Sequence, residues 1–175
     1  MGKTEQWKTR ILKKSELEQA VNMPMALDAV ENALRFIGEG ELFQNTCPVL
    51  NPSEGNFCFL LPHPAYIRPW KVVGDKWLGC CAGNPAKDLP YTIGVTTLND
   101  ADTMMPIAFM DATYLTGLRT AAMAAISAKY LARKNSSTIA IVGCGVQGKT
   151  HLSAMCELKT FPLKTFRVFD SYLHR

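Results

Sequence analysis

The chain has 175 residues, of which 47% are hydrophobic and 19% are charged. This composition suffices for one globular domain, or for a small domain and part of another, and it argues against disorder. The net charge is only +4 and is evenly spread, so the clustered basic surface of a nucleic-acid-binding protein is not expected. No apolar run reaches the roughly 20 residues of a membrane span, and we expect no membrane partner.

Six cysteines occur without the spacing of a zinc site, so we expect no metal. Cys144 lies inside a glycine loop, where a disulfide would obstruct a ligand. The N-terminal residues lack the apolar segment that a signal peptide requires. We therefore expect reduced, mostly buried thiols and a cytoplasmic protein.

The N-terminal segment predicts two helices. Ser15–Glu18 has the spacing of a capping box, and Asn22 can cap a second helix. An apolar stripe at spacings of three and four favours core packing of this second helix; it comprises Leu27, Val30, Leu34 and Ile37. Gly38 and Gly40 are expected to end the helix.

A mainly β region follows. Its turn-rich and β-branched segments predict a short strand at residues 57–61, strands at 71–82 and 91–98, a turn at 99–100 and a strand at 106–110. An alanine-rich helix is then expected at about 115–133. After a short linker, Thr138–Val142 is a continuous apolar, β-branched run that is typical of a parallel strand buried on both faces.

A glycine loop, Gly143-Cys144-Gly145-Val146-Gln147-Gly148, comes directly after this strand. The glycines suit a tight turn, a close approach to a pyrophosphate and close packing of the next helix, whose N-terminus attracts phosphate. A helix at about 146–158 and a strand at about 163–169 end at Asp170, near the spacing expected for an acid that binds the ribose hydroxyls. A carboxylate there disfavours NADP, so NAD is the predicted cofactor; the alternative is a tight strand–helix turn without a ligand.

Arg119 is predicted in the first turn of the alanine-rich helix, where a cation opposes the helix dipole. A substrate carboxylate or a cofactor phosphate bound at the same place would make this position of the arginine favourable. A solvated surface arginine remains an equal alternative.

Two segments together resemble the ornithine cyclodeaminase/μ-crystallin family: Asp111–Ala122 and Ile141–Gly148. His63–Tyr66, Gly74–Trp77, Gly83–Pro85 and Leu98–Asp100 are similar to its N-terminal half. The resemblance implies a dimerising substrate domain joined to a Rossmann domain, with NAD(P) chemistry at the α-carbon of a small amino acid. It implies a homodimer that acts as an ornithine cyclodeaminase (L-ornithine to L-proline plus ammonia) or a related amino-acid or imine oxidoreductase. The alternatives are a non-catalytic, μ-crystallin-like protein that binds a nucleotide or another small ligand, and an inactive fragment.

The resemblance also implies roles for individual residues. Lys76 is similar to the family's active-site lysine near the substrate carboxylate, Arg119 to its carboxylate-binding arginine, and Thr92 to a threonine of the same pocket. The implied cofactor contacts are Thr120, Ala121, Gly143, Gly145, Val146, Gln147, Gly148 and Asp170. Lys76 is a cation in an otherwise apolar strand and needs an anionic partner if it is buried; it could also face solvent, and Lys71 is the second candidate.

The chain departs from the family pattern in two places. No arginine follows Pro48, where the family has a further substrate-binding arginine, and Arg68 does not match that motif. The family's catalytic aspartate and further strands are expected beyond residue 175, so we expect a truncated member.

We therefore predict an α/β chain in which a mixed α+β substrate and dimerisation domain, residues 1–135, precedes the start of a Rossmann-type doubly wound parallel sheet, residues 136–175.

Overall fold

The computed structural model describes residues 7–52 and 57–171. In chain order, the helices of this part of the chain are α1 (Lys14–Ala20), α2 (Met23–Gly38), α3 (Thr113–Leu131) and α4 (Val146–Glu157). The strands are β1 (Arg10–Leu12), β2 (Leu42–Gln44), β3 (Cys58–Leu61), β4 (Ala65–Ile67), β5 (Val72–Cys81), β6 (Thr92–Asp100), β7 (Pro106–Asp111), β8 (Thr138–Val142) and β9 (Thr165–Phe169). Two short 3-10 helices, Arg68–Trp70 and Pro85–Lys87, flank β5.

Side-chain caps fix the starts of the first two helices. The Asn22 Oδ1 atom accepts a hydrogen bond from the Met25 N–H at 3.1 Å, which confirms the predicted cap of α2. In α1, the Glu16 carboxylate accepts from the Lys13 N–H at 2.7 Å. This is the return bond of a capping box, and the helix therefore begins before Ser15 rather than at it.

Contacts divide the chain into two compact units. The first contains the residues up to Leu17 and Phe36–Thr113, and the second contains Glu18–Arg35 and the residues from Tyr114 onward. Most of α2 and nearly all of α3 thus cluster with β8, α4 and β9, whereas the predicted domains meet near residue 135.

The first unit is built on a seven-stranded sheet. The strand order is β1-β7-β6-β5-β4-β2, and β3 also pairs with β5. All neighbouring strands are antiparallel except β1 and β7, which are parallel. One face of this sheet is buried, through Leu78, Cys80, Ala108 and Met110, and the other exposes large apolar side chains.

The core of the second unit lies between helices. Ala121, Ala122 and Ala125 of α3 are completely buried, as is Ala154 of α4. They form one cluster with Met23, Ala26, Leu27, Leu118 and Ile126. Small side chains allow the helix backbones to approach closely, which explains the alanine-rich sequence of α3.

The end of the described chain forms a parallel β–α–β unit. Strands β8 and β9 pair in parallel from Thr138 with Thr165 to Val142 with Phe169, and α4 connects them. The predicted start of a Rossmann-type sheet is thereby confirmed. Within the described residues β8 and β9 form a two-stranded sheet, and Val142 and Phe169 are 83% and 64% exposed.

Two sequence-based expectations are wrong. Residues 99–100 belong to β6 rather than to a turn; the Asp100 carboxylate instead accepts from the backbone N–H of Thr103 in the turn that follows. Cys58 and Cys81 are not free thiols, because they face each other in the β3–β5 pair and form a disulfide. The cytoplasmic location, which was inferred from free thiols, stays a prediction.

Within residues 7–52 and 57–171, no helix has both the length and the apolar character needed to cross a membrane.

Candidate functional site

The turn after β8 depends on a glycine with a left-handed backbone. Gly143 has φ +99°, a conformation that side-chain-bearing residues rarely adopt. Its N–H donates to the Phe169 carbonyl at 2.7 Å, which ties the loop to the end of β9. The chain can therefore turn sharply from β8 into α4, as the first glycine of the loop was predicted to allow.

The other two glycines serve different purposes. A Cβ atom on Gly148 would overlap the Gly143 carbonyl oxygen, so this position must lack a side chain for the helix to pack on the loop. A Cβ atom on Gly145 would meet nothing within 4 Å. The space beside Gly145 is therefore open to a ligand, while Gly148 is required by packing.

The N-terminus of α4 is available to an anion. Gly145 is its N-cap and supplies no side-chain hydrogen bond. The first intrahelical bond is made by the Lys149 N–H to the Gly145 carbonyl at 3.1 Å. The N–H groups of Val146, Gln147 and Gly148 therefore have no intrahelical acceptor, and together with the helix dipole they favour a phosphate. These features fit the pyrophosphate of a dinucleotide.

Asp170 is brought to the same loop. Its Oδ2 atom accepts a hydrogen bond from the Cys144 N–H at 2.6 Å. The acid that sequence spacing singled out thus lies at the glycine loop although 26 residues separate it from Cys144. A carboxylate held there can accept from ribose hydroxyls and repels an additional phosphate.

Arg119 lies further into α3 than predicted. The helix begins at Thr113, so Arg119 is its seventh residue, and the dipole effect falls off within the first turn. The side chain is exposed and makes no hydrogen bond or ion pair with the described residues. Desolvation by nearby protein atoms lowers the pKa of its guanidinium, which nonetheless remains charged at neutral pH. A cation in this setting gains from a bound anion.

Two neighbours of Arg119 differ in how accessible they are. Thr120 is partly buried and its hydroxyl donates to the Thr116 carbonyl at 2.7 Å. Ala121 is completely buried in the helical core, where its methyl group has a packing role. The predicted cofactor contacts of Thr120 and Ala121 stay predictions.

In the first unit, Lys76 and Thr92 lie on the same face of the sheet but not at the same register. Lys76 is opposite Thr96 and Thr92 is opposite Cys80. Four residues of strand separate the two positions, or roughly 13 Å. The Thr92 hydroxyl is 3.4 Å from the Cys80 Sγ atom. Sequence alternation could have placed Thr96 on this face, but only the register identifies it as the residue beside Lys76.

Two other cations considered from the sequence are engaged elsewhere. Lys71 pairs with Asp102 at 3.1 Å, and the Asp102 carboxylate raises the pKa of the Lys71 ammonium. Arg68 pairs with Glu41 at 3.2 Å and lies over the ring of Phe43. Lys76 is half-buried in the middle of β5, and its predicted role as the substrate lysine stays a prediction.

Comparison with known proteins connects both units to one family. The family model described as "Ornithine cyclodeaminase/mu-crystallin family" matches residues 7–172. An alanine dehydrogenase of Archaeoglobus fulgidus is 38% identical over 162 residues, which are 93% of this chain and 48% of that protein.

Two solved structures share the fold over most of the chain. The Thermococcus litoralis Delta(1)-pyrroline-2-carboxylate reductase in complex with NADH and L-proline matches with a TM-score of 0.88 and 30% identity, covering 94% of this chain and 50% of that one. An archaeal alanine dehydrogenase dimer with bound NAD matches with a TM-score of 0.85 and 38% identity, covering 93% and 48%. The chain thus spans about half the length of the relatives it matches.

Proposed function

The chain belongs to the ornithine cyclodeaminase/mu-crystallin family, and on that premise we propose that it acts as an NAD-dependent oxidoreductase at the α-carbon of a small amino acid or the corresponding imine. The observation that carries this proposal is the glycine loop: an open position at Gly145, unpaired N–H groups at the start of α4, and the Asp170 carboxylate beside them. NAD is the cofactor that this combination favours.

Bound NAD would supply the hydride acceptor, or as NADH the hydride donor, for the α-carbon. The family resemblance supports a substrate-binding role for Lys76 and, separately, for Arg119. Each is a cation held on a regular element rather than on a loop, and a cation can bind a substrate carboxylate. Holding the substrate in one orientation reduces the entropic part of the activation barrier. Thr92 is proposed as a further pocket residue, and its hydroxyl forms a hydrogen bond with the Cys80 Sγ atom.

The finer reaction that we propose is the cyclodeamination of L-ornithine to L-proline and ammonia, or the simpler oxidation or reduction at the same carbon. The family description supports the first, and the relatives named alanine dehydrogenase and Delta(1)-pyrroline-2-carboxylate reductase support the second. A non-catalytic binding protein of the μ-crystallin type would bind the nucleotide without turnover.

We also propose that the protein is a homodimer. The exposed face of the large sheet carries Ile11, Trp77, Ile93 and Phe109, which are between 40% and 74% exposed. Ile11 and Phe109 are register partners on β1 and β7, and Ile93 and Trp77 lie on the next two strands, β6 and β5. We call these four side chains the apolar patch; exposed apolar side chains grouped on one face are typical of protein interfaces. A matching solved relative is a dimer.

Titration of the 175-residue chain with NADH, followed by nucleotide fluorescence, tests the function. Saturable binding is expected, and turnover of L-alanine, L-proline or L-ornithine in the presence of NAD would show that this chain is itself catalytic. Binding without turnover of any of the three would favour the non-catalytic alternative. If a folded chain does not bind NADH, the proposal is wrong for this chain.

A further inference from the structure

His63 lies directly opposite Lys76 in the sheet. The His63 N–H donates to the Lys76 carbonyl at 3.1 Å, and the Lys76 N–H donates back to the His63 carbonyl at 3.5 Å. This position continues the register of both β3 and β4 against β5. Directly opposite residues of an antiparallel pair share one face, with Cα atoms about 5.5 Å apart in a hydrogen-bonded pair.

Thr96 extends the same row on the other side of Lys76, because it is the Lys76 partner in β6. An imidazole, an ammonium and a hydroxyl group therefore stand side by side on three adjacent segments. All three residues are half-buried. Their same-face neighbours at the adjacent register positions are apolar: Leu61, Ala65, Gly74, Leu78, Gly94 and Leu98. A short row of polar groups within an apolar surface is the usual composition of a small-molecule site.

The backbone at His63 is held firmly. The Asp75 Oδ1 atom also accepts from the His63 N–H, at 2.7 Å. Pro64 follows, and a residue before proline is restricted to an extended conformation. The backbone from which the imidazole projects is consequently fixed, so ligand binding has no backbone entropy to remove at this position.

We propose that His63 is a further substrate-binding residue, which binds the substrate carboxylate together with Lys76 and Thr96; this rests on the proposed function of Lys76. A carboxylate bound at this row would lie beside two basic groups, and hydrogen bonds from a charged donor to a carboxylate are stronger than neutral ones. The three side chains offer an imidazole N–H, an ammonium and a hydroxyl donor to the two carboxylate oxygens. The ligand class is a small amino or imino acid with a free carboxylate.

The test uses the 175-residue chain with ring-labelled histidine, observed by NMR. L-alanine and L-proline are each titrated against their amides, which keep the amine and lack the carboxylate. At least one acid should shift the His63 ring signals saturably, and neither amide should. His63→Leu should weaken binding of that acid about tenfold, and His63→Gln, which retains an N–H donor, should stay within about threefold of the natural chain.

Thr96 and Thr97 provide a matched pair on opposite faces of β6. Thr96→Val should weaken binding of the acid, and Thr97→Val should leave it unchanged. The inference is overturned if no acid moves the His63 ring signals, or if His63→Leu binds the acid as well as the natural chain does. If His63→Leu does not fold, the shift of the His63 ring signals and the affinity of His63→Gln for the acid decide whether the inference holds. NADH binding is measured in parallel, so a chain that binds the acid but not NADH contradicts the proposed cofactor and leaves the role of His63 intact.

Discussion

At the scale of single residues, two glycines of the loop are needed for different reasons: Gly148 for helix packing and Gly145 for access of the ligand. Gly148→Ala places a methyl group against the Gly143 carbonyl oxygen, so we expect destabilisation by at least about 2 kcal/mol and loss of NADH binding. Gly145→Ala has open space around its methyl group and a negative φ of −69°. It should keep the melting temperature while it weakens NADH binding, since the methyl group occupies the place of the pyrophosphate. Equal melting temperatures for the two variants would contradict this distinction.

Asp170 carries the prediction about cofactor choice. Asp170→Asn keeps an oxygen that can accept from the Cys144 N–H but removes the negative charge. The loop should therefore keep its conformation, while the preference for NADH over NADPH falls about tenfold, as expected when a charge-assisted hydrogen bond becomes neutral. Dissociation constants for both nucleotides measure this. An unchanged preference would show that Asp170 does not contact the ribose.

At the scale of elements, one ion pair connects α2 to α3. The Lys129 ammonium donates to the Glu31 carboxylate at 2.6 Å, and the Tyr130 hydroxyl donates to the same oxygen. The hydrogen bond from Lys129, then that from Tyr130, lowers the pKa of Glu31, and the bond to Glu31 raises the pKa of Lys129. Because the pKa of Glu31 is lowered in the folded state, its carboxylate stabilises the fold at pH values above the unfolded-state pKa. This stabilisation is lost as the pH falls through the folded-state pKa. Because the pKa of Lys129 is raised in the folded state, its ammonium stabilises the fold at pH values below the unfolded-state pKa. That stabilisation is lost as the pH rises through the folded-state pKa.

Glu31→Gln should therefore lower the melting temperature slightly at pH 7, because the pair is partly exposed. The difference from the natural chain should shrink as the pH falls below the ordinary pKa of 4.5. Thermal melts at neutral and acid pH provide the measurement, and Glu157→Gln, at an exposed position, is a control with the same chemical change. A difference independent of pH would mean that Glu31 acts through packing instead of charge.

At the scale of the whole molecule, the exposed sheet face determines the expected assembly. Phe109→Glu places a charge within the apolar patch, and we expect it to convert the proposed dimer into monomers. Leu89→Glu is the control, because Leu89 is 48% exposed and Phe109 is 42% exposed, but Leu89 lies outside the strands. Light scattering after size-exclusion chromatography gives the mass of each. If the natural chain is a monomer, or if both variants remain dimers, this face is not the interface.

The sequence by itself predicted the features that depend on local patterns. The long strands β5, β6 and β7, the helices α2, α3 and α4, and the cap at Asn22 follow from periodicity and capping chemistry, which act over a few residues. The dinucleotide loop and Asp170 were found for the same reason, since strand, glycines, helix and acid lie at fixed spacing along the chain.

Only the tertiary structure decided the features that depend on pairing between distant segments. Strands β1, β2 and β4 have three residues each, too few for a period of two to be recognised. Pairing defines them instead: β1 lies beside β7, β4 beside β5, and β2 beside β4. The disulfide and the His63–Lys76–Thr96 row depend on register, which a single strand cannot specify. Sequence spacing placed Asp170 at a plausible distance, but only the folded loop brings its carboxylate to the Cys144 N–H. Long-range pairing, not local propensity, therefore assembles the substrate side of the candidate site.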